Sequence, residues 1–298
     1  MYGHFLLPPS FRLATRLEPM PKPIRHVVSA TSAADFASLL SETAPTAYDD
    51  PMFLAEGDSW FNKFYPVDAN LLDQLDLPNG CRIIDHSWSG DKADGMFGAA
   101  RIAEVAQYLD AFSYKAILLS AGGNDLISQI GNLLDGTGNT ATLDDVKVDD
   151  AFRKVETLLR TFAYARGGTR NAETRIFIHA YDFVTPRNAP VRPNIAGPWV
   201  YPRLMAAGVT SKLAQRQLVT ELLTRWLGRL TLLALPDSPK YIPGFHVLLS
   251  QGLLKPANAN DTGRSGDWDD EIHPTKAGYR VIAAKLYNPV LRAVLDGA

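Results

Sequence analysis

Short apolar runs alternate along this chain with longer segments in which apolar residues recur at helical spacing. The short runs are rich in β-branched residues and predict strands that are buried on both faces. Strands are predicted over 52–55, 81–85, 116–120, 175–180 and 245–250, and helices over 32–43, 67–77, 95–110, 143–166, 209–234 and 275–295. Strands that alternate with helices imply crossover connections, and therefore a mostly parallel five-stranded sheet with helices on both faces.

The other segments predict an arm and two surface loops around a single domain. Residues 1–28 are rich in Pro and Arg and indicate an N-terminal arm, and 29–298 are expected to form one α/β domain. A loop and helix insertion is predicted around 181–235, because its first part, 181–201, is too rich in proline for regular structure. A second loop is predicted over 258–269, where Asn, Asp and Gly dominate.

Composition and charge narrow the classes of function. The net charge is -2 and the charged residues are spread along the chain, so no nucleic-acid partner is expected. No stretch approaches the roughly 20 apolar residues of a membrane span, and the N-terminus lacks a signal-peptide pattern. We therefore expect a soluble cytoplasmic protein, with non-classical export as the alternative. The single cysteine, Cys81, excludes an intrachain disulfide.

Polar motifs follow three of the predicted strands, and a fourth motif precedes the last predicted helix. Gly57-Asp58-Ser59-Trp60 follows the first strand, His86-Ser87-Trp88-Ser89-Gly90-Asp91 the second, and Gly122-Gly123-Asn124-Asp125 the third. The fourth motif is Asp270-Glu271-Ile272-His273-Pro274. Ligands of parallel sheets bind outside the carboxyl ends of the strands, so the first three motifs are expected to meet there.

Together these motifs hold the parts of an acyl-transfer site. A serine hydroxyl becomes a good nucleophile when an imidazole takes its proton, and a carboxylate holds that imidazole in the right tautomer. Asp270 lies three positions before His273, so one compact turn can hold the acid against the ring while the ring also faces Ser59. A backbone N–H of Gly90 and the side-chain amide of Asn124 are suitable donors to an oxyanion.

The four motifs resemble blocks of the SGNH, or GDSL, hydrolases, in the family's order. The resemblance makes Ser59 the nucleophile, with its own N–H as an oxyanion donor, in the first block. It assigns the backbone N–H of Gly90 and the side-chain amide of Asn124 as further donors in the second and third blocks. In the last block His273 is the general base, and Asp270 orients it.

Fold and chemistry follow from this resemblance as expectations. The family implies a flavodoxin-like three-layer α/β/α sandwich and cleavage of carboxylic esters or thioesters without metal or cofactor. The substrate is then a small-molecule, lipid or sugar ester, whereas the oligomeric state is left open. Trp60 departs from the family pattern, which has Leu there, and with Trp88, Tyr181 and Asp182 it is a candidate for the substrate pocket.

Several rival interpretations use the same residues. His179 also ends a predicted strand and is the alternative base. The acids at 269–271 together with His273 suggest a metal site or a two-carboxylate glycosidase, although the further ligands and spacing that such sites use are not evident. Two more functions are compatible with the motifs, namely an acyltransferase that uses the same site and a non-catalytic binding module that keeps the fold.

Overall fold

The computed structural model describes residues 27–29, 34, 37–38, 50–63, 70–191 and 196–297. Of the predicted N-terminal arm, only residues 27 and 28 fall within these ranges. The predicted helix over 32–43 lies mostly outside them, although residues 34, 37 and 38 are helical.

All five predicted strands are present in one parallel sheet. They are β2 (Met52–Gly57), β3 (Arg82–Asp85), β4 (Ala116–Ser120), β7 (Ile176–His179) and β8 (Phe245–Leu248). A further strand, β1 (Val27–Ser29), pairs with β3 and extends the sheet to six strands in the order β1-β3-β2-β4-β7-β8. A small antiparallel pair, β5 (Leu134–Asp135) and β6 (Thr142–Leu143), lies apart from this sheet.

The five predicted strands follow the flavodoxin-like order. Numbered along the chain among themselves, they lie in the order 2-1-3-4-5, and all neighbours are parallel. Every residue of the two central strands, β2 and β4, is buried, which agrees with the apolar runs 52–55 and 116–119 within them. The predicted flavodoxin-like sheet is therefore confirmed.

The described helices cover both faces of the sheet. They are α1 (Ala93–Phe97), α2 (Ala99–Ala111), α3 (Gly123–Ile127), α4 (Asp145–Gly167), α5 (Tyr201–Ala206), α6 (Lys212–Ala234), α7 (Lys276–Ile282) and α8 (Asn288–Leu295), with a π-helical turn over Ala283–Tyr287. Right-handed crossovers place α2, α4 and α6 on one face, where α2 and α6 both contact α4. On the other face α7 contacts the 3₁₀ turn Leu72–Gln74, and the three-layer prediction is confirmed.

Two helix predictions differ from the structure. The described part of the predicted helix over 67–77 contains only the turn Leu72–Gln74, because Leu75 returns to an extended conformation. The helix predicted over 95–110 is divided at Gly98, whose extended backbone ends α1 and begins α2. The prolines of 181–201 lie in irregular backbone where described, as expected.

The polar motifs meet at one end of the sheet. The chain leaves β2 toward one edge of the sheet and leaves β4 toward the other edge. The boundary between these two strands is therefore the switch point, where doubly wound sheets form a crevice. At this point Gly57 pairs with Ser120, and a Cβ on Gly57 would lie 2.7 Å from the Ser120 Cβ. Glycine is therefore required for the close approach of the two strands just before the Asp58-Ser59 turn.

Candidate active site

A tight turn presents Ser59 at the end of β2. The carboxylate of Asp58 accepts hydrogen bonds from the Trp60 N–H (3.0 Å) and the Ser120 hydroxyl (2.7 Å), and the Asp58 N–H donates to the Ser120 carbonyl (3.0 Å). Tyr181 donates its phenolic O–H to the same carboxylate. Asp58 thus braces the turn from inside the protein.

Ser59, His273 and Asp270 form a continuous hydrogen-bonded chain. The Ser59 Oγ lies 2.8 Å from Nε2 of His273, and Nδ1 of the same ring lies 2.9 Å from each carboxylate oxygen of Asp270. Asp270 also accepts the backbone N–H groups of Ile272 (3.0 Å) and His273 (2.9 Å). These bonds fix the acid in a turn that directs the imidazole toward the serine. All three chain members are buried.

The environment of Asp270 favours its charged form. Burial raises the pKa of this carboxyl, but the neighbouring His273, its hydrogen bond and the Lys63 cation together lower the pKa below its usual value. The Lys63 Nζ lies 3.6 Å from Asp270 Oδ2 and 3.3 Å from Asp269 Oδ2, and its side chain is buried. An ionised Asp270 is the form that orients an imidazole and stabilises an imidazolium.

Asn124 and Gly90 are linked through the loop after β3. The Asn124 Nδ2 donates to the carbonyl of Asp91 at 2.8 Å. An amide carries two N–H groups, so one remains for a ligand. Gly90 is exposed and has φ of +90°, a left-handed conformation that favours glycine. Asp125 accepts the N–H of Ala93 at 3.0 Å and so ties α3 to the start of α1.

A small cavity of about 30 Å³ opens beside Ser59. Its lining residues are Asp58, Ser59, Trp60, Gly123, Asn124, Ile127, Tyr181, Val184, Leu223 and Ile272. A cavity of roughly 10–15 Å³ holds one water, so this cavity has room for a small chemical group. Tyr181 has φ of +59°, uncommon for a non-glycine residue, and its ring lies against Gly123, where a Cβ would be 2.7 Å from the ring.

Two of the four predicted pocket residues, Trp60 and Tyr181, line this cavity, and two lie elsewhere. Trp88 is 67% exposed, on the loop that carries Gly90. Asp182 is buried and accepts the N–H groups of Gly252 (2.6 Å) and Leu254 (2.8 Å), so it holds the loop after β8.

Trp60, which departs from the family pattern, supports the loop that carries His273. Its indole N–H donates to the carbonyl of Ile272 at 3.2 Å, and its ring stacks on His179 with 5.0 Å between centroids. Trp268 and Tyr279 pack edge-on against the same indole. The bulk of this side chain therefore lies in the core beneath the 270–273 turn, and one part of it borders the cavity.

His179 belongs to a different, fully buried network. Its Nε2 lies 3.1 Å from the Ser120 Oγ, and its Nδ1 lies 2.7 Å from the phenolic oxygen of Tyr287. In a catalytic triad the carboxylate contacts the imidazole. Here the Asp58 carboxylate contacts the hydroxyl of Ser120 and not the His179 ring. Burial lowers the pKa of His179 to about 3, so the ring is neutral. Through Ser120, which bonds to Asp58, the ring supports the Asp58-Ser59 turn from behind.

Glu271 and Trp199 also belong to this site, although neither was predicted as part of it. Glu271 is buried and is bonded to the proline-rich loop, and the Trp199 ring lies edge-on against His273 at 5.3 Å between centroids. The position of Glu271 between Asp270 and His273 was the only signal in the sequence. Nothing in the sequence indicated which part of the 181–201 loop approaches the imidazole.

The described residues contain neither a metal-binding cluster nor a membrane-spanning helix. Within the ranges that the structure covers, no group of three or more His, Cys, Asp or Glu side chains is placed to hold a metal ion. None of the helices in those ranges has the length and apolar character needed to cross a membrane.

Comparison with known proteins gives structural matches only. No family model matches the sequence, and no curated protein matches it. Similar solved structures include an extracellular lipase from Streptomyces rimosus, with 13% identity, TM-score 0.44 and coverage of 82% of this chain and 99% of that one. A lipase from a goat rumen metagenome has 14% identity and TM-score 0.43, with 82% and 97% covered. A member of the lipolytic G-D-S-L family from Veillonella parvula has 14% identity and TM-score 0.38, with 78% and 94% covered.

Proposed function

We propose that this protein is an SGNH-type serine hydrolase that cleaves esters of short carboxylic acids. The observation that carries the proposal is the hydrogen-bonded chain Ser59–His273–Asp270, in which each contact is 2.8–2.9 Å long. A serine, an imidazole and an orienting carboxylate in this order form a nucleophile that is activated by a general base.

The reaction then has two halves. The Ser59 Oγ attacks the acyl carbon while its proton passes to His273 Nε2, and the protonated ring gives that proton to the departing alkoxide. Water next attacks the acyl-enzyme, gives a proton to His273, and releases the acid as the serine is restored. Asp270 holds the Nδ1–H throughout. The N–H groups of Ser59 and Gly90 and the free N–H of Asn124 are the proposed donors to the oxyanion of both intermediates.

The cavity supports a short acyl group. Apolar side chains of Ile127, Val184 and Leu223 line the cavity, and its small volume of about 30 Å³ favours a short acyl group such as acetyl or propionyl. An alcohol that replaces water in the second half-reaction would make the same site an acyltransferase. The ratio of free acid to new ester in the presence of a competing alcohol distinguishes transfer from hydrolysis.

A panel of p-nitrophenyl esters tests the proposal. The wild type is expected to hydrolyse the acetate and to be labelled by a fluorophosphonate, whereas Ser59→Ala is expected to lose both properties. Asn124→Ala is expected to lower kcat by about 10²–10³-fold, as loss of one oxyanion donor does. Labelling that survives in Ser59→Ala, or near-normal turnover by Asn124→Ala, would contradict these assignments.

A further inference from the structure

The carboxylate of Glu271 collects four backbone N–H groups from the proline-rich loop and the start of α5. Its Oε1 accepts from Tyr201 (2.7 Å) and Arg187 (3.2 Å), and its Oε2 accepts from Val200 (2.8 Å) and Trp199. The side chain is 1% exposed. A buried carboxylate is expensive unless its oxygens are hydrogen-bonded, and here each oxygen has two donors.

Further contacts join the same two segments. The Glu271 N–H donates to the carbonyl of Ala189 at 3.0 Å. Arg187, which is fully buried, donates from Nη2 to the carbonyl of Asp270 at 2.5 Å and from Nη1 to the carbonyl of Asp261 at 3.1 Å. The proline-rich loop is therefore fixed to the turn that carries Asp270 and His273.

This attachment sets the position of one aromatic side chain beside the proposed base. The Trp199 ring meets the His273 ring at an interplanar angle of 84°. On its other side the segment is held by Arg203, which donates to the carbonyl of Trp199 and, at 2.8 Å, to that of Ser128. Ser128 directly follows α3, the helix that carries Asn124. The Trp199 segment is thus fixed between the His273 imidazole and the C-terminal end of α3.

We propose that Glu271 is a positioning residue for His273, which it serves by fixing Trp199 against the imidazole. The inference rests on the proposed hydrolase function. Contact with the Trp199 indole restricts rotation of the His273 imidazole away from Ser59 and shields that side of the imidazole from water. The charged group that interacts with Glu271 is the Arg187 guanidinium on the loop, and it does not replace the four N–H contacts.

The first test is Glu271→Gln, which keeps the size of the side chain. The amide presents its own N–H groups to two of the four donors, so about half of the contacts are lost. We expect kcat for p-nitrophenyl acetate to fall by about 10–100-fold with little change in KM, because a small displacement of a catalytic group mainly affects the transition state. The matched control is Glu156→Gln, another buried carboxylate, whose partners Arg160, Arg229 and Lys240 do not line the cavity beside Ser59. It is expected to lose stability and to keep kcat.

A double-mutant cycle with Trp199→Ala separates positioning from general stability. If Glu271 acts through Trp199, the double variant is expected to have the kcat of Trp199→Ala alone. A double variant whose loss of kcat equals the product of the two single losses would overturn the proposal. A Glu271→Gln variant that has a lower Tm but a kcat within twofold of wild type would also overturn it. If Glu271→Gln does not fold, an unchanged kcat in Trp199→Ala overturns it. Fluorophosphonate labelling of Ser59 in every variant shows separately whether the proposed hydrolase function holds.

Discussion

Leu223→Ala tests the proposed acyl pocket directly. Leu223 lies on α6, is 2% exposed and closes one side of the cavity beside Ser59. Replacing its isobutyl group by a methyl group lengthens the cavity on that side. The space gained is suitable for burying the chain of a butyryl group against α6.

The size of the effect follows from the area that the added methylenes bury. Butyrate has two methylenes more than acetate, and each contributes about 0.8 kcal/mol when it is buried. The total of about 1.6 kcal/mol corresponds to a rise of roughly 15-fold in the ratio of kcat/KM for butyrate to that for acetate. The substitution also lowers the free energy of unfolding by about 2–5 kcal/mol, so the rates must be measured well below the Tm.

The assay compares p-nitrophenyl acetate, propionate and butyrate across three proteins. Leu230→Ala is the matched control, because Leu230 is fully buried on the same helix and does not line the cavity. It is expected to lose similar stability and to keep the wild-type preference. A butyrate-to-acetate ratio in Leu223→Ala within twofold of wild type would refute the pocket assignment, as would an equal rise in Leu230→Ala.

Three further predictions follow from the site. Asp270→Asn is expected to lower kcat by about 10³–10⁴-fold while fluorescence and Tm show a folded protein, because the amide N–H group favours the wrong imidazole tautomer and the amide carries no charge to stabilise the imidazolium; a loss under tenfold would contradict the assignment. His273→Ala is expected to abolish turnover of the acetate ester, whereas His179→Ala is expected to lower Tm and to keep kcat/KM, and the opposite pattern would identify His179 as the base. Burial raises the pKa of Glu271 to about 7 from an ordinary value of 4.5. The folded state therefore binds the extra proton between these values, and stability falls by about 3 kcal/mol as pH rises through them. The free energy of unfolding, measured with urea at each pH, is expected to fall more steeply in wild type than in Glu271→Gln. Identical dependence on pH in the two proteins would contradict this.

The fold was predictable because its main signals are local in sequence. Runs such as 116–120 are apolar without alternation, and such runs are buried on both faces of a parallel sheet. The predicted helix over 67–77 was wrong in its described part for a tertiary reason. Its leucines have helical spacing, but the Asp76 N–H donates to the Asn288 side chain, far along the chain, while Leu75 is extended. Helical spacing shows that residues are buried on one side, not that the backbone is helical.

The candidate site was predictable where residues follow strands directly. Ser59 and Asn124 come after the central strands β2 and β4, so the sheet order alone brings them to the same edge. The contacts by which Trp60 and Glu271 hold the segments around His273 were not predictable, because they depend on the path of irregular loops. Trp60 bonds to a carbonyl 212 positions away, and Glu271 to N–H groups about 70 positions away. Neither separation leaves a periodic signal.

The order of the site along the chain has a consequence during synthesis. Ser59 precedes its imidazole partner by 214 positions, and the buried network behind the serine is completed by Tyr287, which lies later still. Domains generally fold as units, so a single domain is completed only after its last elements have left the ribosome. The Asp58-Ser59 turn therefore emerges long before His273 can lie against it. If the proposed function holds, the serine of a nascent chain keeps ordinary alcohol reactivity until the segment with His273 docks.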